Sequence, residues 1–159
     1  MAQDDGAKKV AALVKDIRTA MLTTVEPDGS LVSRPMAVQE VEFDGDLWFF
    51  TDASSRKVAE IGRDTKVNVS FSSSSAWVSI SGNATVVDDL AKSKELWNTV
   101  VEAWFPDGPE TPGLRLVKVT SETAEYWDTP GKLATVISFL KAKATGEPYS
   151  GGDNETVAL

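Results

Sequence analysis

At 159 residues, 42% apolar and 25% charged, the chain has the size and composition of one soluble globular domain with a single core. A net charge of −8 and a pI near 4.6 argue against nucleic-acid binding and against attraction to an anionic membrane. The sequence contains no Cys and no His, which excludes disulfides, thiolate chemistry, imidazole metal sites and Ser-His-Asp or Cys-His catalytic centres.

In "GAKKVAALVKDI", Val10, Leu13, Val14 and Ile17 recur at helical spacing and predict a short amphipathic helix. "TAMLTTV" follows as a strand. "EPDG" (26–29) has the Pro and Gly placement of a type I turn. "SLVSRPMAVQEVEF" continues as a strand, and the Asp-Gly of "FDGD" (43–46) is a hairpin signal leading into "LWFFT". These segments are expected to form a three-stranded meander. The pattern turns helical from Ser54 to Ile61, with Ser54 or Ser55 as cap and Gly62 as stop. "KVNVSF" and "AWVSISGNATVV" are strands joined by four serines. "DLAKSKELWNTVVEAWF" reads as one amphipathic helix, and a breaker-rich loop, "PDGPETPG", comes after it. "LRLVKVTS" and "AEYWD" read as a final strand pair, "KLATVISFLKAKA" as a last helix, and residues 146–159 as a loose tail beyond a domain of residues 1–145. Six or seven strands joined in sequence favour an antiparallel sheet closed into a β-barrel, with helices at its periphery, because closure removes exposed edges.

No apolar run reaches the roughly 20 residues that span a bilayer, and the first ten residues contain no apolar signal core. A cytoplasmic protein is therefore expected. Without His, an enzymatic role would depend on a bound cofactor for the demanding chemistry.

Two stretches stand out against the acidic background. In "SLVSRPM", Arg34 lies between Val32 and Met36 on one strand face. A buried guanidinium there needs a carboxylate or phosphate partner. The alternative is an edge-strand Arg reaching into solvent, which Pro35 would suit. In "WFFTDASSRK", Thr51, Ser54 and Ser55 precede Arg56 and Lys57 at a strand-to-helix junction. Hydroxyls, free helix N–H groups and two cations suit an anion such as phosphate. The alternative is a Ser-capped helix carrying two solvated cations.

Taken together, "SRPM" (33–36), "WFFTDASSRKVAEI" (48–61), "VNVSF" (67–71), "WVSISGNATVV" (77–87 with its last Val) and "AEYWD" (124–128) resemble the FMN-binding split β-barrel superfamily, which includes pyridoxamine 5′-phosphate oxidase, and within it the small general stress protein branch. The resemblance covers roughly positions 8 to 130. It implies a mainly β protein, a six- or seven-stranded antiparallel split barrel with flanking helices, and a homodimer with the flavin between the subunits. It implies that Arg34 and Lys57 hold the flavin phosphate with Ser55 and Arg56 beside them. It further implies that Pro35 and Met36 run along the ring edge, that Phe50 and Thr51 contact the ring and ribityl chain, and that Trp77 and Trp127 lie near the cofactor, Trp77 reaching it from the partner subunit. The implied cofactor is FMN, with FAD or a deazaflavin as alternatives. The sequence departs from the oxidases in lacking their late Arg-x-His substrate grip and a Lys near Gln39. These departures imply a flavin protein that does not oxidise vitamin B6. Either an oxidoreductase for an unidentified small molecule or a non-catalytic flavin carrier or sensor fits, and a barrel without cofactor is the plainest alternative.

Overall fold

The computed structural model describes residues 2–39, 41–129, 131–149 and 151–159. In chain order the elements are α1 (Ala2–Val14), β1 (Thr19–Val25), β2 (Leu31–Ala37), β3 (Asp46–Asp52), α2 (Arg56–Arg63), β4 (Lys66–Ser72), β5 (Ala76–Val87), α3 (Leu90–Leu96), α4 (Thr99–Trp104), β6 (Leu114–Asp128), α5 (Lys132–Thr145) and β7 (Asp153–Ala158). All strand pairs are antiparallel, in the order β2-β1-β4-β5-β6-β3, and β7 also pairs with β6. The sheet curls until its end strands β2 and β3 approach each other, but no ladder joins them. This is the expected antiparallel split barrel, left open along the β2–β3 seam.

Strand alternation builds the core. Leu22, Val69, Phe71, Val78, Ile80, Phe49, Val117 and Val119 point inward and are essentially inaccessible, while the intervening residues face outward. Val10 and Val14 of α1 add to the same cluster.

The connectivity corrects the sequence reading in four places. The first three strands are not a meander: β3 leaves β2 and pairs with β6. The Asp-Gly turn does form, with Asp44 accepting from the Asp46 N–H and Gly45 at φ +105°, but the Gly45 carbonyl accepts from Ser121 N–H on β6. A local turn signal carries no information about which distant strand receives the returning chain. The helix read over 89–105 is two helices. Trp97 ends α3, and the Asn98 side chain caps α4 by accepting from the Val100 and Val101 N–H groups.

The strand pair at 114–128 is one 15-residue strand, and Glu122 is the extra residue of a bulge opposite Ser81/Gly82. Only glycine fits at position 82, since a Cβ there would meet the Thr120 carbonyl oxygen at 2.2 Å. Finally, residues 153–158 are no loose tail. They form β7 against Thr123–Asp128, entered through Gly152 at φ +96°, and Val157 is buried beside Gly6 of α1.

Candidate functional site

The seam between β2 and β3 is where the predicted cations gather. β1 directs Leu22 and Thr24 inward, and Arg34 lies opposite Leu22 on β2. Its guanidinium turns to the same interior, with its side chain only 19% exposed, and donates to Thr24 Oγ1 at 2.7 Å and Glu60 Oε2 at 3.0 Å. β2 is thus the edge strand that Pro35 suggested, but its Arg is not solvated.

β3 ends at Asp52, whose carboxylate accepts from the N–H and hydroxyl of Ser54. That local turn leads directly into α2. Ser55 is the N-cap by position, yet its hydroxyl caps no N–H group. It accepts instead from Lys57 Nζ at 2.8 Å, and Thr51 Oγ1 accepts from the same ammonium at 3.1 Å.

Glu60 organises the cluster and was not foreseen from the sequence. It is 2% exposed on the inner face of α2. One carboxylate oxygen accepts from Thr24 and Arg34, and the other from Arg56 Nε at 2.7 Å. Arg56 also pairs with Glu26, and its side chain is 62% exposed. Burial pushes the Glu60 carboxyl up, but the hydrogen bonds from Thr24 and Arg56 and the Arg34 charge outweigh it and hold the group below the ordinary Glu value. The available sequence signal was the Arg56–Glu60 spacing of four on a helix. Combined with the need of Arg34 for a carboxylate, it could have identified Glu60.

Lys57 is the odd cation. Its two partners are neutral hydroxyls, and among the described residues it forms no ion pair. Burial, followed by repulsion from Arg34, pushes its ammonium below the ordinary Lys value, with Glu60 and Asp52 pulling the other way. Arg34 and Arg56 are paired directly with Glu60 and Glu26, whereas Lys57, beside Thr51 and Ser55, feels Glu60 and Asp52 only without direct contact. An anion with several acceptor oxygens fits this donor set.

The structure therefore brings together Arg34, Thr51, Ser55, Arg56 and Lys57. Pro35 and Met36 follow on the edge of β2, with Met36 packed on the core. Phe50 lies on the other face of β3 from Thr51, and its ring packs edge-on against Trp97 at 5.7 Å. Trp77 and Trp127 do not join the cluster within one chain. They face each other across β5 and β6, on the outer surface opposite Val78 and Ile80, and are 45% and 40% exposed. They line a cleft of about 420 Å³ with Asp128, Thr129 and residues 151–154. A cavity of about 540 Å³ lies at the far ends of β2 and β3, between Val14, Arg18, Val38, Gln39, Phe49 and Phe71. It includes none of the predicted residues. Gln39, on its wall, accepts from the Asn98 side chain at 2.8 Å and so ties β2 to the α3–α4 junction.

Fold and cluster together define a split-barrel protein with a cationic corner at its seam. The family model described as pyridoxamine 5′-phosphate oxidase like matches residues 5–150, and the chain belongs to that family. Protein bli-3 of Neurospora crassa is 30% identical over 158 residues, spanning 91% of this chain and 76% of that protein. The structure of the general stress FMN/FAD binding protein from Xanthomonas citri is similar at a TM-score of 0.67 and 32% identity, covering 79% of this chain and 89% of that one. A protein described as a general stress protein 26 from Jannaschia sp. CCS1 shares the fold at a TM-score of 0.78 and 23% identity, over 99% of both chains. Among the described residues, no helix is long and apolar enough to cross a membrane.

Proposed function

We propose that this chain is an FMN-binding, general-stress-type protein of the cytoplasm, and an oxidoreductase for a small molecule other than pyridoxamine phosphate. The observation that carries the reading is Lys57, a half-buried ammonium beside Arg34 with hydroxyl partners and no carboxylate of its own. The flavin phosphate would take the place of the missing counterion, held by Arg34, Lys57, Arg56 and the Ser55 hydroxyl. Bound flavin supplies reversible acceptance of hydride or single electrons. The free edge of β2 at Pro35 and Met36 offers backbone groups to the ring, and β3 would border it through the Thr51 side chain and the backbone at Phe50, whose ring is turned to Trp97. In a homodimer, Trp77 and Trp127 of the second copy would close over the ring, which accounts for their distance from the cluster within one chain. FAD or a deazaflavin would present phosphate to the same residues, and identification of the ligand that co-purifies separates the three.

Arg34→Ala and Lys57→Ala are each expected to weaken FMN binding by about 1.5–3 kcal/mol, the worth of a charge-assisted hydrogen bond. Titration of flavin fluorescence checks this, and unchanged affinity in both variants removes the site assignment. Affinity should also depend on pH. Lys57 must be protonated to attract phosphate, and its ammonium loses its proton below the ordinary 10.5. Above the second ionisation of the phosphate, at about pH 6, binding is therefore expected to hold and then to fall as pH rises through that depressed Lys value. Lys57→Arg, which stays charged, should move the fall to higher pH.

A second reading, a non-catalytic flavin carrier or sensor, is favoured by one observation: after Trp127 the chain carries no Arg-x-His pair, and it contains no His at all. Steady-state assays with NADH or NADPH and several acceptors decide between the two. Tight flavin binding without turnover would establish the carrier.

A further inference from the structure

The last helix lies inside out. Among the described side chains of α5, Thr135, Ser138 and Ala142, three small residues spaced along one stripe, are the partly covered ones. Val136, Ile137, Phe139 and Leu140 are 54–59% exposed. At about 100° per residue these four fall within an arc of roughly 160° on the solvent side. A helix of a self-sufficient monomer turns that arc inward. The exposed aromatic pair Trp77 and Trp127 lies near the point where the chain leaves β6 for α5. Six such side chains, each exposing roughly 80–100 Å², leave about 500–600 Å² of apolar surface in total between the helix face and the tryptophan pair. A stable dimer needs about 800 Å² per partner, so this surface supplies most of one.

Charge points to the occupant. Residues 132–145 contain three Lys and no acidic residue, in a chain of net charge −8. Lys143 falls on the same side of the helix as Val136 and Phe139. A helix that lies in a lipid surface keeps its cations on the face opposite its apolar stripe. A cation within the stripe instead suits a protein surface that is apolar and rimmed by carboxylate. The Trp77–Trp127 cleft is such a surface, with Asp128 and Asp153 in its wall.

We propose that α5 is a dimerisation arm: its Val136–Leu140 face packs on the Trp77–Trp127 cleft of a second copy, with Lys143 toward Asp153. This rests on the homodimer proposed above and names the element that makes it. The arm brings the end of one chain onto the partner's tryptophans, which would close that same chain's flavin site.

The test is sedimentation velocity on flavin-free protein over a concentration series, for the wild type, Phe139→Glu, Trp127→Ala and Lys143→Glu, and for Lys143→Glu combined with Asp153→Lys. Circular dichroism confirms that each is folded. Wild-type dimers are expected, with dissociation constants raised roughly 30-fold or more in Phe139→Glu and Trp127→Ala. Lys143→Glu should weaken the dimer, and the charge reversal should restore it. A wild-type dimer indifferent to Phe139→Glu and Trp127→Ala overturns the arm alone. A monomeric wild type overturns the dimer as well. Monomers that bind vesicles of phosphatidylcholine and phosphatidylserine, and lose that binding in Phe139→Glu, would show that α5 serves a lipid surface instead.

Discussion

Glu60→Ala is expected to lower the unfolding free energy by about 3–5 kcal/mol, the usual cost of leaving a buried charge without its partner. The Arg34 guanidinium would keep only Thr24 Oγ1 and a long contact to the Leu22 carbonyl. Thr24 would lose its acceptor at a fully buried position. Urea denaturation measures the loss, and a change under about 1 kcal/mol would show that the cluster relaxes without Glu60. The sign of the pH dependence follows from the same carboxylate. Its folded-state value lies below the ordinary 4.5, so the native state binds fewer protons than the unfolded chain near that pH. The stabilisation is complete above 4.5 and is lost as pH falls through the depressed value. Glu60→Gln should remove that part of the acid transition. It should also tighten FMN binding, because Arg34 and Arg56 would no longer be neutralised by Glu60.

Phe49→Ala is expected to cost about 3–5 kcal/mol as well, through a different mechanism. The ring is fully buried in the core and lines the cavity between α1 and the far ends of β2 and β3. Truncation would enlarge space that is already poorly filled, so the surroundings have little with which to collapse onto it. Two residues along β3, on the same face, is Thr51, which accepts from Lys57. The variant should therefore bind flavin more weakly although the cluster itself is untouched. Thermal and urea unfolding give the stability, and a loss below about 1.5 kcal/mol would mean that the cavity walls close over the gap.

Local pattern was enough to place β1 to β5, α1, α2 and α5, and most of the cationic cluster. β1, β4 and β5 lie where alternation placed them, and the Thr-Asp-Ala-Ser-Ser-Arg-Lys junction is the turn from β3 into α2. What was not legible depends on long-range partners. The transfer of β3 from β2 to β6 hinges on side-chain packing between Leu47 or Phe49 and a strand some seventy residues on, which no turn residue encodes. The bulge at Glu122 was hidden because "TSETAE" has the polarity of a turn, while Gly82 on the neighbouring strand makes room for the irregularity. β7 was missed because five of its six residues are exposed and polar or small, so only Val157 carries a core signal. In the site, the residues of one chain were readable and Glu60 was not, since a carboxylate on a short helix resembles a solvated one until its burial is known. The two tryptophans were identified by resemblance, and their outward position follows from strand parity.

The placement of β7 has a bearing on how the polypeptide is made. Synthesis is vectorial, and the half of β6 from Thr123 to Asp128 emerges well before residues 153–158 that cover it. During that interval the nascent barrel presents an open hydrogen-bonding edge beside Tyr126, and α1 lacks the Val157 side chain that packs on Gly6. Closure of this edge therefore comes late in the order of synthesis: the first helix must wait until residues 153–158 have been made for its neighbour.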